Sequence, residues 1–542
     1  MSAELKGAST LPEAIDLSHH LSVVARNRVV SPLKNLAKYF GRPGMISLAG
    51  GLPSPAYFPF DSVKADILNY DSYTPKPATE SQGPLSWILS LFSGNDSSST
   101  IPITVPKYPE HPDDVNLASA LQYGLAKGIP QLQQIIAEFT ATIFRPGYSN
   151  HTIQLHVGNT DGWAKIVSTL CNPGEGILVS EWTYPSALET TNPLGISPVP
   201  VSMDGQGMNS AALREVLSGW DEAARGMPRP HVMYIVPVGQ NPTGATMGAQ
   251  RKQEIYDICV EFDVIIVEDD PYYFLQEGPY VHPTQRYSNV KQTDMSDDQY
   301  IASLVPSFLK FDYQGRVVRL DTFSKTIAPG SRTGWFTCNP IFAERFERHA
   351  ETSTQGPSGF SQVLITKTLI SWQATGYLQW LKGLGVEYTR RRNYFIDGLL
   401  DKFHLELAST PQTLFPGSVR YIASDRSGYF NEKGSRKPLF SFVPPSSGMF
   451  VWLQFHFEDH PKFKELGEET LEMQLWIKLA EGGLLIGPGN MFAANKSASS
   501  ASYPGHFRIS FSNAEDNDLT KAIDIFAKVV KKFHEDARIV LE

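Results

Sequence analysis

Residues 264–276 read VIIVEDDPYYFLQ, and this stretch decides the fold. Val264, Ile265, Ile266 and Val267 run without polar alternation, the pattern of a strand buried on both faces. Such strands belong to a mostly parallel sheet covered by helices. The run then breaks into Glu268, Asp269, Asp270 and Pro271. Charge at the end of a buried strand requires a partner, and in an open α/β sheet the carboxyl ends of strands are where ligands bind.

Working outward, Ile153–Val157, Ile177–Ser180, Val232–Val236 and Val317–Asp321 repeat the short β-branched pattern. Helical periodicity lies between them, as in Gly248–Phe262, where Ile255, Cys259 and Phe262 recur at helix spacing. Strand alternating with helix predicts an α/β domain over residues 116–375. From about residue 376 to 542 the style changes to a smaller α+β domain. It has a long helical stretch at 377–404, strands at Gly448–Phe455 and His506–Phe511, and a closing helix striped by Leu519, Ile523, Phe526, Val530 and Phe533. Residues 1–45 read as an N-terminal arm with Arg26, Arg28, Lys34 and Lys38. Residues 46–115 read as the N-terminal part of the small domain followed by an insertion loop from 74, with a short helix at Leu85–Phe92. A second polar, irregular insertion covers 276–300, and 494–503 reads as a flexible loop.

The 542 residues carry 47 basic and 56 acidic side chains, and 47 − 56 gives −9. That balance argues against a nucleic-acid partner. Cys171, Cys259 and Cys338 stand far apart, which argues against a disulfide framework or a cysteine-rich metal site and for a reducing compartment. No apolar run approaches membrane-span length, and MSAELKGAST has no basic start followed by an apolar run. A cytoplasmic location is the expectation, and the sequons at Asn95, Asn150 and Asn495 read as chance matches. No P-loop, GxGxxG, GxSxG or HExxH is present.

What remains is a series of polar residues at strand ends. Gly158-Asn159-Thr160-Asp161-Gly162 turns into a helix, a geometry that offers backbone N–H groups to a phosphate. Gly239-Gln240-Asn241-Pro242-Thr243-Gly244 follows another strand, and Asp321-Thr322-Phe323-Ser324-Lys325 a third, with Arg332 seven residues on. Singly, each reads more readily as a tight turn or a solvated lysine than as part of a site. As an ordered set they supply an amine for an aldehyde, an acid for a pyridine nitrogen, an anion cup and hydrogen bonds for a ring hydroxyl.

At these residues the chain resembles the fold-type I, pyridoxal-phosphate-dependent class I aminotransferases, and within them the fungal aromatic and the kynurenine/α-aminoadipate aminotransferases. The motifs are ISLAGGLPSP at 46–55, ALQYGLAKGIPQL at 120–132, VGNTDGW at 157–163, EWTYPSA at 181–187 and GQNPTG at 239–244. They continue with EDDPYYFLQ at 268–276, DTFSKTIAPGSRTGW at 321–335, SSGMFVW at 446–452 and HFRISFS at 506–512. The insertions near 74–115 and 276–316 are more like the fungal branch. The resemblance implies a large domain on a mostly parallel, seven-stranded type of sheet plus a smaller α+β domain. It implies pyridoxal 5′-phosphate, with Lys325 bonding its aldehyde and shuttling the proton, and Asp270 pairing with the ring nitrogen. Tyr273 and Asn241 would bond the ring hydroxyl, and Tyr184 would stack on the ring. Asn159, Thr160, Thr322, Ser324 and Arg332 would hold the phosphate, joined by Tyr123 from a second subunit, so a homodimer is implied. Arg508 would clamp the substrate carboxylate, helped by Asn241, Gly51 and Lys34.

Three positions depart from the kynurenine enzymes: Gly-Asn-Thr replaces Gly-Ser-Gln, Thr322 replaces a serine, and Lys34 replaces an arginine. The implied reaction is transfer of an amino group from an aromatic amino acid, with kynurenine or 2-aminoadipate as further donors, to a 2-oxo acid such as 2-oxoglutarate. Two alternatives stay open: a C–S lyase acting by β-elimination on the same fold, and a non-catalytic regulator that keeps an aminotransferase-like domain. The regulator reading lacks room before residue 45 for a DNA-binding domain. No metal is expected.

Overall fold

The computed structural model describes residues 11–32, 44, 46, 48–49, 51–73, 100–286, 292–409, 419–426, 436–495 and 505–535. Lys34, Lys38, the Leu85–Phe92 patch and nearly all of 494–503 lie outside them. By internal contacts the chain divides into two compact units, residues 1–170 with 290–386 and residues 171–289 with 387–542.

In the first unit, strand Gly334–Cys338 lies between Thr152–His156 and Val317–Thr322 and is antiparallel to both. All three are largely buried. Helices Asn159–Leu170 and Pro340–Glu351 pack on them through Trp163, Ile166, Phe342 and Phe346. Gly334 has to be glycine. A Cβ there would stand 2.4 Å from the Asp321 carbonyl oxygen and 2.5 Å from the His156 ring. A separate antiparallel pair joins Ser62–Leu68 to Thr100–Pro106. The second of these corrects the reading of 74–115 as loop alone. Pro102 and Pro106 obscured the strand, yet a two-stranded ribbon tolerates proline at its free edges, and Ile103 and Val105 are buried.

In the second unit, Ile265–Asp269, Val232–Ile235, Gly176–Ser180 and Ser197–Val201 pair in that order, all parallel. The first three are buried along their whole length, as their continuous apolar runs demand. Ser197–Val201 contains Pro198 and Pro200, which an outer strand can hold without losing a ladder on both sides. The same unit carries a six-stranded antiparallel sheet ordered Phe403–Ser409, Val419–Asp425, Pro438–Phe442, Phe450–Phe455, His506–Ser510, Gly487–Pro488. Helices Phe463–Glu481 and Asp516–Glu535 cover it, and the stripe Leu519, Ile523, Phe526, Val530 and Phe533 is buried as the spacing predicts.

Two further boundaries differ from the sequence reading. The long helical segment runs Gly359–Lys402, broken at Gln373 by a left-handed φ of 58°, so its first part precedes the expected start at 377. The polar insertion at 276–300 contains a helix, Asp297–Ser303, nucleated by a capping box between Ser296 and Gln299. All three cysteines are buried and free.

Candidate active site

Strand Thr152–His156 feeds through Val157 and Gly158 into helix Asn159–Leu170, so Asn159, Thr160 and Asp161 form its first turn rather than a preceding loop. Gly158 has φ +88°, and a Cβ there would lie 2.2 Å from the Arg332 guanidinium. Glycine is what lets Arg332 approach this helix start. Arg332 itself adopts the left-handed conformation, φ 46°. Its Nη2 donates to the Val157 carbonyl at 3.0 Å, and its Nη1 to Pro329 O at 3.1 Å and Ser324 Oγ at 3.5 Å. Three anchors hold this otherwise exposed cation in one place. Thr322 Oγ1 and Ser324 Oγ stand 2.9 Å apart, and Thr322 Oγ1 donates to Thr333 O at 3.2 Å. Asn159 Nδ2 donates to Leu320 O at 3.3 Å. A guanidinium, two hydroxyls and a helix start gathered in this way make an anion cup.

Lys325 follows this cup and is half-buried. Burial, and secondly the charge of Arg332, push its ammonium below the ordinary lysine range. That direction favours a neutral, nucleophilic amine. The loop beyond it is pinned from a distance. Trp380 Nε1 donates to the Thr326 carbonyl at 2.7 Å and Tyr377 Oη to Thr326 Oγ1 at 3.2 Å. Beneath the cup lies His156, fully buried, its pKa lowered to about 3 by burial, its ring 4.5 Å from Phe336 and edge-on. Sequence reasoning singled out none of His156, Tyr377 and Trp380. The partners of Tyr377 and Trp380 lie about fifty residues away, beyond any local pattern. Gly51 and Tyr123 are in this unit and exposed, Tyr123 by 68%.

In the second unit, the paired acids have different surroundings. Asp269 ends its strand and accepts from Tyr234 Oη at 2.6 Å, whereas Asp270 lies just beyond the strand and is 2% exposed. Both Tyr272 and Tyr273 are buried in the turn that follows. Tyr184 stands immediately before helix Pro185–Thr191 and is half-buried. The turn at Asn241 is held by Gln240, whose Nε2 donates to Trp182 O at 2.9 Å. It also rests on Gly448: a Cβ on Gly239 would come within 2.6 Å of the Gly448 Cα.

Arg508 lies on strand His506–Ser510, opposite Trp452. Its guanidinium is bracketed by two rings, with Phe450 and Phe492 at 4.6 and 4.8 Å from its Cζ. Nη1 donates to Asn241 Oδ1 at 2.8 Å, and Nε has no partner among the described residues. Burial lowers the arginine's pKa, while the hydroxyls of Tyr272 and Tyr184 work against that shift. A planar cation with rings against it and one edge on an amide keeps its in-plane donors for a planar anion, which a carboxylate is.

The sequence profile "Aminotransferase class I and II" matches residues 110–526. An aromatic amino acid aminotransferase of Schizosaccharomyces pombe is 35% identical across 95% of this chain and 98% of its own length. The L-tyrosine:2-oxoglutarate aminotransferase atrD of Tapinella panuoides is 32% identical across 96% and 97%. The crystal structure of aminotransferase Aro8 from Candida albicans superposes with a TM-score of 0.80 at 34% identity, covering 97% of this chain and all of that one. The architecture is therefore fold-type I, and this chain belongs to the class I and II aminotransferase family.

Proposed function

We propose that the chain moves the amino group of an aromatic amino acid to a 2-oxo acid, 2-oxoglutarate being the expected acceptor, with pyridoxal 5′-phosphate as its cofactor. The observation that carries the reading is Arg508, bracketed by Phe450 and Phe492 with one nitrogen on Asn241, as a receptor for an α-carboxylate. The activities for which the fungal relatives are named support aromatic donors and 2-oxoglutarate.

The residues fit the cofactor. The Arg332 guanidinium that Gly158 lets come close, together with Thr322, Ser324 and the start of helix Asn159–Leu170, suits a phosphate. When bound, the cofactor supplies an aldehyde and an electron-accepting ring. Lys325 would bond that aldehyde and then carry the proton, its lowered pKa keeping the amine reactive. Asp270 would keep the ring nitrogen protonated, Asn241 and Tyr273 would donate to the ring hydroxyl, and Tyr184 would pack on the ring. Tyr123, being exposed, would reach the phosphate of a second copy in a homodimer. Gly51 and Lys34 would assist the substrate carboxylate. The working division would be a cofactor domain at 116–375 and a small domain at 376–542. Among the described residues no helix is long and apolar enough to cross a membrane, and a cytoplasmic site of action is part of the proposal.

The direct test mixes holoenzyme with single amino acids and follows the cofactor's visible absorbance. Aromatic amino acids should bleach it, and 2-oxoglutarate should restore it. Release of ammonia and a thiol from cysteine conjugates, without restoration, would replace transfer by C–S bond cleavage.

Two substitutions test the parts. Arg508→Lys removes a bidentate geometry that lysine cannot reproduce. The loss of ~1.5–3 kcal/mol of charge-assisted bonding predicts a roughly ten- to hundredfold lower kcat/KM for all amino and oxo acids alike. A severalfold change in the phenylalanine-to-aminoadipate ratio at unchanged efficiency would make Arg508 a side-chain reader instead. Gly158→Ala places a Cβ against Arg332 in a left-handed conformation costing ~1–2 kcal/mol. Cofactor dissociation constants measured on apoenzyme should rise about tenfold, and unchanged retention would dissociate Gly158 from the phosphate cup.

A further inference from the structure

Helix Asn159–Leu170 turns a lysine into the core along with its apolar residues. Lys165 is 2% exposed, in the company of Trp163, Ile166 and Val167. Its Nζ donates to the Asp161 carboxylate one helical turn back, and to Thr354 Oγ1 at 2.9 Å. On an exposed helix face such an i, i+4 pair is a minor stabiliser. Buried, it costs the desolvation of charge and calls for a reason. Burial pushes the lysine's pKa down, and its bond to Asp161 holds against that.

The pair leads into the phosphate cup. Asp161 Oδ2, the oxygen that Lys165 holds, also accepts from Val157 N at 2.9 Å. The Val157 carbonyl accepts in turn from Arg332 Nη2 at 3.0 Å. One oxygen therefore joins a buried cation to the residue on which the cup's arginine rests. Asp161 also brings a cost. A carboxylate in the first turn of a helix is drawn to the same positive end that a phosphate would use. Placed next to Thr160, it would repel a phosphate if its charge stood unbalanced. Lys165 supplies the balance.

We propose that Lys165 is a positioning residue for the phosphate cup: it holds and neutralises Asp161, so that Val157 is fixed for Arg332 and the helix start stays open to an anion. This rests on the reading of the cup as the cofactor's phosphate site. A lysine that only stiffened the helix would act on the fold, and on every ligand of this unit alike. A lysine that neutralises Asp161 acts on the phosphate in particular. Its loss is then repaired by neutralising the acid in another way.

The test titrates apoenzyme with pyridoxal 5′-phosphate and with pyridoxal, which has the same aldehyde and ring without the phosphate. Lys165→Met should weaken binding of pyridoxal 5′-phosphate about tenfold or more, the scale of one unbalanced charge beside an anion near a protein surface. Pyridoxal should change by less than about twofold. Adding Asp161→Asn to Lys165→Met should restore most of the lost affinity. Both charges are then gone, and the asparagine's amide oxygen can still accept from Val157 N. Equal losses for the two ligands, no loss for either, or no recovery in the double variant overturns the proposal. Should Lys165→Met fail to fold, Asp161→Asn alone carries the test. It should bind pyridoxal 5′-phosphate at least as tightly as the parent, and a loss beyond about twofold overturns the proposal. Arg332→Met separates the two failures, since parental affinity for both ligands there would remove the cup reading itself whatever Lys165 does.

Discussion

Lys325→Ala is expected to abolish turnover altogether, the largest effect that any single substitution in this chain should have. On the proposed reading the amine would have two tasks, bonding the cofactor's aldehyde and moving the proton. Arg332 is the cation nearest in role. Its guanidinium is anchored on Val157 O, Pro329 O and Ser324 Oγ, and arginine cannot act as a neutral amine at any working pH. The cup formed by Thr322, Ser324, Arg332 and the helix start at Asn159 does not depend on Lys325, so the variant should still bind the cofactor, with reduced affinity. Borohydride treatment followed by mass spectrometry should find the reduced cofactor adduct on the parent's Lys325 peptide and none on the variant. Parental turnover and the same adduct in Lys325→Ala would place the chemistry on another amine. The pH profile carries the same idea. Burial and Arg332 lower the amine's pKa, so replacing Arg332 by a neutral residue should shift the basic, amine-dependent limb of the rate profile upward.

Much of this was legible in the sequence, because burial on both faces leaves a continuous apolar run. Val232–Ile235 and Ile265–Asp269 show it plainly, and both are buried throughout. The strand ends carried the candidate chemistry for the same reason, since polar residues abutting such runs have few alternatives to a site. The failures have physical causes as well. Thr100–Pro106 was hidden by its prolines, and the first part of Gly359–Lys402 by the left-handed break at Gln373, which separates two helical phases. Long-range pairing left no local trace. Arg508 and Asn241 are 267 residues apart, and neither motif announces that one donates to the other. Phe492 reads as an ordinary core aromatic, and only its place against the Arg508 guanidinium gives it a part in the site. The roles of Lys325 and Asp270 came from the ordered set and the family it resembles, because a lone lysine or a lone aspartate after a strand has several uses.

The adjacent acids Asp269 and Asp270 should separate sharply on substitution. Successive residues of a strand point to opposite faces, so only one of a neighbouring pair can serve a given site. Asp269, the last residue of its strand, is engaged by Tyr234 from the adjoining strand at 2.6 Å, a contact that explains its burial by itself. Tyr234 in turn is kept protonated, first by burial and then by the charge of Asp269. Asp270, one residue on and just as deeply placed, is the acid we propose for the cofactor's ring nitrogen. An ionised carboxylate there stabilises the protonated ring, and the protonated ring takes up the electrons released when the substrate's α-proton leaves. Asp270→Asn keeps the shape and removes the charge. It should slow the half-reaction roughly a hundredfold or more, the scale of losing a preorganised electrostatic contact, and leave the melting temperature close to the parent's. Asp269→Asn should do the converse. Its loss falls on the Tyr234 hydrogen bond, worth about 1.5–3 kcal/mol when one partner is charged, and it should lower thermal stability while the half-reaction rate stays within a few-fold. Single-turnover rates and melting curves on the two variants measure both quantities. Should Asp269→Asn be the slow enzyme and Asp270→Asn the merely unstable one, the ring-nitrogen partner is Asp269, and the turn from Pro271 to Tyr273 would have to be read one residue out of phase.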